Sequence, residues 1–430
     1  MTPATQAQSQ TQAQAQPKAQ TQTAPGSGQA SAGRLRDYRP PEGFFDEWMS
    51  AGQRISGKGE DLVNALEALG PEGVEQCTAH ARRVIKDNAI TYNVFGDDEP
   101  TNRLWSMDLM PLLLEYQEWK ALEVALSQRM HLLNLLLQDI YGRQNLLRGG
   151  KYPPELVLGN PAFLRPCHNL LPPNRRFLHL YTADLARSPD GNWWVLSDRV
   201  DAASGMGYAL ENRHITTRTM PEVFRRLDVH RLDTFTQRLT GAAGCLAPVP
   251  VENPLTVLLT PGPFNETYFE QMFLARTLGY PLVEGADLTV RDNRVFLKTT
   301  SGVEPVHVIL RRLDSDWCDP LELRSDSLLG VPGLLNAVRS GNVSIANMIG
   351  SSVVETPALM AFLPTLCRSL LGEDLKIPSV ATWWCGQDLE RSYVLANLDK
   401  LVIKPTFRSR TNRRAFFGPA LTKAERAQLA

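Results

Sequence analysis

No two cysteines in this sequence are spaced as CxxC, and none stands with histidine at the intervals of a zinc site; Cys77, Cys167, Cys245, Cys318, Cys367 and Cys385 are scattered through 430 residues. That spacing argues against a metal framework and for free core thiols in a reducing compartment. Neither sign of charge is in excess, the formal net charge being −1. A global attraction to nucleic acid or to an acidic membrane is therefore not expected, although local clusters can still hold phosphate. No apolar run approaches the roughly twenty residues that a membrane helix needs, and the N-terminus lacks a charged-then-apolar leader pattern. The expectation is a cytoplasmic protein with no nucleic-acid or membrane partner. Residues 1–36 lack aromatic side chains and almost lack large aliphatic ones, being mostly Gln, Ala, Thr, Ser, Pro and Gly. Such a segment cannot offset the entropy of ordering and reads as a disordered tail.

Beyond the tail the chain has length for two or three domains. An aromatic arm, DYRPPEGFFDEW, predicts packing of Phe44, Phe45 and Trp48 onto a core, and residues 59–86 read as helices. ITYNVFGDDEP predicts a strand and its exit loop. Residues 115–147 carry the longest helical pattern, with Trp119, Leu122, Leu126, Met130, Leu133, Leu137 and Ile140 on one stripe. Arg129, Asn134 and Asp139 on that helix could reach a site, but solvated or structural roles are favoured. Residues 177–184 and 193–198 predict two paired strands joined by Ser188–Asn192, each bringing an acid, Asp184 and Asp198.

The stretch WWVLSDRVDAASGMGYALENR, Trp193 to Arg213, organises the reading. An apolar strand delivers Asp198 and Arg199 to its end, and a small-residue loop then enters a helix. Glycines allow close backbone approach, and free N–H groups suit a phosphate or a magnesium-bound oxyanion. The same pattern also describes a strand, a solvated turn and a helix whose charges face water.

After a Gly/Ala/Pro-rich stretch at 241–250, residues 255–260, 266–278 and 281–283 read as strand, helix and strand of an open parallel α/β unit, with ligands expected at the strand ends. Its Pro261-Gly262-Pro263 turn is not a dinucleotide fingerprint, so NAD is unsupported. A hairpin is predicted around Asp292-Asn293. A buried strand at 306–310 then runs into Arg311, Arg312, Asp314 and Asp316. Arginine forks there could grip carboxylate or phosphate, or the cluster could be a surface ion-pair group. A turn and strand at 341–350, a helix at 358–371 and a strand at 401–404 complete the reading. Lys404 at that last strand's end is a phosphate partner if it faces a nucleotide cleft, and otherwise a surface lysine.

Taken in order, these segments, with QRMHLLNLLLQDIYG, PPELVLGNP, LLTPGPFNETYFEQMFLARTLGYPLVEGADL, ILRRLDSDWCDP, DSLLGVPGLLNAVRSGNVSIANMIGS and LVIKP, resemble the circularly permuted type 2 ATP-grasp family, including glutathionylspermidine-synthase-like proteins. The resemblance implies an α/β (α+β) fold. The expected parts are the tail 1–36, an N-terminal permuted segment 37–245, a pre-ATP-grasp-like unit 246–340 and the start of a nucleotide lobe 341–430. It implies an ATP- and Mg2+-dependent ligase that joins a small-molecule carboxylate to an amine through an acylphosphate; the alternative is a degenerate member that binds a nucleotide, peptide or partner protein without turnover.

By motif, the resemblance assigns Asp198 and Glu211 to the metal. Lys404, Ser204, Gly205, Asn212 and Arg311 fall to the nucleotide, and Arg213, Arg312 and Asp314 to catalysis. Several positions depart from the family pattern. Ser197 and Arg199 replace a glutamate and an asparagine, Ala203 replaces a proline, and Thr356-Pro357 replaces an Asp-Lys pair. The glycine-rich loop expected after Lys404-Pro405 is TFRSRTNRRAFFG, with Arg408, Arg410, Arg413 and Arg414. Family members extend past the position of Ala430, which implies a further lobe on this protein or on a fused or neighbouring one.

Overall fold

The structure is a computed structural model that describes residues 37–49, 55, 57–93, 103–172, 175–407 and 414–429. The Gln-rich tail, the exit loop after Asn93, and Arg408, Arg410 and Arg413 lie outside the described residues.

Helix α1 (Lys58–Asp87) is interrupted at Gly70, whose φ of 68° and the following Pro71 break the helical path. Strand β1 (Thr91–Tyr92) pairs with β2 (Arg103–Leu104). Helix α2 (Tyr116–Ile140) buries Leu122, Leu132, Leu133, Leu136, Leu137 and Ile140. Each such aliphatic side chain contributes roughly 1.5–3 kcal/mol on leaving water. Trp119, expected on the buried stripe, is instead 48% exposed, while its neighbour Glu118 accepts a hydrogen bond from Trp193 Nε1 of the ribbon formed by residues 182–199. Two one-turn helices follow, α3 (Asn145–Arg148) and α4 (Glu155–Leu158).

Strands β3 (Thr182–Arg187) and β4 (Trp193–Arg199) form an antiparallel ribbon that places Ala183 opposite Asp198. The strand expected from Phe177 starts only at Thr182. Upstream, the amides of Phe177 and Leu178 donate to Asn134 Oδ1, and those of His179 and Leu180 to Asn347 Oδ1. Two side-chain amides thus do what a neighbouring strand would do. Helices α5 (Met206–Thr219), α6 (Pro221–Arg226) and α7 (Asp233–Gly244) follow, and α7 takes up the first part of the expected linker.

Strand β5 (Thr256–Leu259), helix α8 (Tyr268–Leu278) and strand β6 (Leu282–Val283) realise the expected parallel unit. Gly279 ends α8 at φ 72°. A small antiparallel sheet, β7 (Leu288–Arg291), β8 (Arg294–Thr299) and β9 (Gly302–Pro305), is inserted next. Its first turn has Arg291 opposite Arg294, and Asp292 and Asn293 both have positive φ, as a two-residue hairpin loop requires.

Strand β10 (Val308–Arg311), helix α9 (Leu334–Arg339) and strand β11 (Ser344–Ala346) complete the main sheet, whose order is β11-β10-β5-β6 with every pairing parallel. The chain ends with α10 (Leu363–Leu371), α11 (Asp388–Ala396), β12 (Val402–Ile403), β13 (Phe416–Phe417) and α12 (Lys423–Leu429). The helix expected from Ala358 begins as a separate 3-10 turn, Pro357–Ala361.

Side chains alternate across the main sheet. Val257, Leu259, Ile309 and Ile345 join a core with α2, α9 and α10, whereas Leu258, Leu310 and Ala346 join a second core with α1, α5 and α8. Both faces are covered, which is why β5 and β10 are apolar without alternation at Val257–Leu259 and Val308–Leu310. The N-terminal arm reaches this body through Trp48 and through Phe45, which lies 4.0 Å below the Arg187 guanidinium; Phe44 is exposed. Among the described residues no helix is long and apolar enough to cross a membrane.

Candidate functional site

Strand β10 ends at Arg311 and Arg312 follows it directly; the pleat sends the two to opposite sides of a buried sheet, and each needs its own partner. Arg311 is 1% exposed; its Nη2 donates to Asp201 Oδ1 at 2.7 Å and its Nε to the Asn347 carbonyl at 3.2 Å. Asp201 also accepts from the Ser315 amide and the Ser351 hydroxyl. Burial opposes both charges, but their attraction outweighs it, so the Arg311 pKa is raised and that of Asp201 lowered.

Arg312, 6% exposed, faces Glu270 of α8 across 3.5 Å. Among the described residues its Nε and Nη2 find no hydrogen-bond acceptor, and burial lowers its pKa. Glu270 is fully buried because it closes the glycine loop: Gly205 N donates to its Oε2 at 2.8 Å and Gly207 N to its Oε1 at 3.1 Å. Gly205 has φ 111°, and a Cβ on Gly207 would stand 2.6 Å from Glu270 Cγ. The backbone donors at the start of α5, expected to receive a phosphate, thus receive a carboxylate of the same chain.

Asp198 is similarly engaged. Arg129 of α2 grips it two-handed, Nε to Oδ1 and Nη2 to Oδ2, both at 2.7 Å, while Tyr181 OH donates to Oδ1 at 2.6 Å. Arg129 Nη2 also reaches Ser379 Oγ at 2.9 Å. Burial and the Asp198 charge raise the Tyr181 pKa, keeping the phenol a donor.

In front of these buried pairs lies a cleft of about 450 Å3, lined in part by Arg199, Ser204, Asp314, Asp316 and Glu355. A hollow of about 180 Å3 shares Arg199 and Glu355 with it and adds Asp198, Thr406 and Phe407. Glu355 Oε1 accepts the amides of Val200 and Asp201, and burial together with Asp201 raises its pKa. Asp316 shares its charge with Arg324 at 3.3 Å. The Asp314 carboxylate makes no hydrogen bond or ion pair among the described residues, although solvent reaches it at the cleft surface. Desolvation by the surrounding cleft walls, then Asp201, push its pKa up to about 6 even though the residue itself is exposed. Cations relieve such crowding of acids.

Of the residues expected to form the site, Asp198, Ser204 and Asp314 line the two joined hollows, while Gly205, Arg311 and Arg312 are fixed behind them by Glu270 and Asp201. Glu211, Asn212 and Arg213 follow along α5 and line neither hollow. Glu211 Oε2 lies 3.3 Å from His214 Nδ1, Asn212 Oδ1 accepts from Trp105 Nε1 at 2.9 Å, and Arg213 lines a separate cavity. Lys404 is exposed after β12 and lines neither hollow, although Thr406, two residues on, does, held by Thr356 Oγ1 at 2.8 Å. Sequence reasoning missed Tyr181, Glu270 and Glu355 as site groups, and for Arg129 it favoured a solvated or structural role over reach to a site. The one local signal was Glu270, an acid beside Phe269, Phe273 and Leu274 on an otherwise apolar helix face.

A doubly covered parallel sheet with an acid-lined cleft beyond the end of its strand β10 defines an α/β protein. Residues 111–430 match the circularly permuted ATP-grasp type 2 family, and the chain belongs to it. A protein of Synechocystis named only as uncharacterized is 36% identical over 397 residues, covering 92% of this chain and 82% of its own. One from Mycobacterium tuberculosis is 35% identical over 404 residues, and the match spans 92% of this chain but only 45% of that longer protein. Among solved structures, a glutathione synthetase-like effector from Globodera pallida, in its apo form, superimposes with a TM-score of 0.52, covering 83% of this chain and 77% of its own. At 15% identity that likeness shows the fold.

Proposed function

We propose that this chain carries the acid-lined cleft of an ATP-dependent carboxylate–amine ligase. The observation that carries the reading is Asp314, an acid with no partner among the described residues, which lines the cleft shortly after β10 beside Asp316 and has its pKa pushed up to about 6. Among the described residues no group of three or more His, Cys, Asp or Glu side chains is placed to hold a metal. Magnesium at nucleotide sites needs only one or two carboxylates, the rest of its shell being phosphate and water, so Asp314 and Asp316 fit it by donor chemistry. Asp198 fits less well, because both its oxygens are already in use. Bound with magnesium, ATP would supply the phosphoryl group that activates a carboxylate as an acylphosphate for attack by an amine.

This chain's own residues would then act by charge and position. Arg199 and Ser204 border the same cleft as Asp314 and can orient an anionic substrate there. The Ser204–Gly207 turn does not fit a phosphate while Glu270 holds its amides, so no step is assigned to it.

A second reading, a nucleotide or peptide binder without turnover, draws support from the closure of Asp198 and the glycine loop by internal partners. Incubation of the protein with ATP, magnesium, amino acids and polyamines distinguishes the two. ADP release that Asp314→Asn lowers by about a hundredfold, through loss of a carboxylate that would hold the metal, supports the ligase. Calorimetric binding of ATP with no ADP released under any pool supports the binder and overturns the ligase.

A further inference from the structure

The cavity that takes Arg213 is unrelated to the cleft. It measures about 600 Å3, within the range of small-molecule sites, and lies among α5, α7 and α8. It shares no lining residue with either hollow of the candidate site.

Its walls divide into two kinds. Leu210, Phe224, Leu232 and Phe273 are apolar, and two of them are aromatic. Arg213 and Arg218 are cationic and have no carboxylate partner among the described residues. A third cation, Arg231, is paired with Asp233 at 2.7 Å, so the acid in this cavity is already neutralised. Arg213 is half-buried; its Nη1 donates to the His230 carbonyl at 2.6 Å, and its guanidinium lies 5.5 Å from the Phe224 ring centroid. A guanidinium withdrawn from water without a counter-charge is destabilised, which the lowered pKa of Arg213 through burial reflects. An anionic head group would remove that cost, and a planar carboxylate suits the guanidinium fork.

We propose that this cavity is a second ligand site, selective for a small monocarboxylate that carries an aromatic body. The head would meet Arg213 and the body would lie between Phe224 and Phe273. A phosphate dianion is a poorer match, because only one guanidinium is withdrawn from solvent while Arg218 and Arg231 are exposed. The site is independent of the ligase reading.

Isothermal titration of the whole chain with hippurate, an aromatic monocarboxylate, and with its neutral amide tests the assignment. Hippurate is expected to bind the wild type at least about tenfold more tightly than the amide, and Arg213→Met to weaken hippurate by about tenfold or more while leaving the amide unchanged. Thr277→Trp, which fills the cavity from α8 and keeps the guanidinium, is expected to abolish binding of both; it also decides the matter should Arg213→Met fail to fold. The proposal is overturned if hippurate gives no heat at millimolar concentration, if the amide binds equally well, if Thr277→Trp binds as the wild type does, or if inorganic phosphate displaces hippurate at equal concentration.

Discussion

Replacing Asp198 by Asn separates two roles for that residue, a metal ligand and a structural counter-ion. Arg129 is 0% exposed and its side chain finds three acceptor contacts, two on Asp198 and one on Ser379. An asparagine leaves one acceptor and turns an amide toward the second guanidinium nitrogen, so a charge stays buried without its counter-charge. Breaking a buried pair in this way costs about 3–5 kcal/mol, and Tyr181 loses its ionised acceptor for roughly 1 kcal/mol more. Arg129→Met alone should cost a similar amount, because Asp198 would then be the unpaired charge. The double change Arg129→Met/Asp198→Leu removes both charges and should recover most of the loss, ending within about 2 kcal/mol of the wild type. Urea unfolding followed by tryptophan fluorescence measures all four proteins, read as midpoint shifts at constant slope. Added salt should leave these midpoint losses nearly unchanged, since the pair is shielded from solvent. If Asp198→Asn unfolds at the wild-type midpoint yet loses magnesium-dependent ADP release, the structural assignment is refuted and Asp198 is a metal ligand.

Glu270→Ala should lower the unfolding midpoint strongly, because it strands Arg312 and the Gly205 and Gly207 amides together; Glu270→Gln, keeping an acceptor, should recover part of the loss, and equal stability of the two variants would argue against the charge. Gly207→Ala should cost about 1–3 kcal/mol by forcing Glu270 aside, measured by the same unfolding curves. For Asp314 the folded pKa of about 6 exceeds the usual aspartate value. The folded chain therefore holds this proton where the unfolded chain has released it. Its contribution favours the fold at low pH and is lost as pH rises from about 4 to about 6. Asp314→Asn should flatten that part of the melting-temperature profile, and magnesium binding to the wild type should weaken as pH falls below about 6.

Much of the architecture was legible because its causes are local. The apolar runs at β5 and β10, Gly279 as the stop of α8, and Asp292-Asn293 at the hairpin each act through neighbours in the chain, and the ordered motifs were sufficient to indicate the family. What lay beyond reach was which charges were spoken for. Asp198 meets an arginine 69 positions earlier, and Gly205 meets a glutamate 65 positions later. An acid gripped by a guanidinium and an acid waiting for a metal are written with the same letter, and a glycine turn reads the same whether its amides face phosphate or Glu270. Periodicity and turn chemistry in the amino-acid order set the strands, helices and kinship of this protein. Only packing of α2 against β4 and of α8 against α5 decided which polar groups were buried with partners and which, like Asp314, remained open, because the partner of a buried charge is chosen in space.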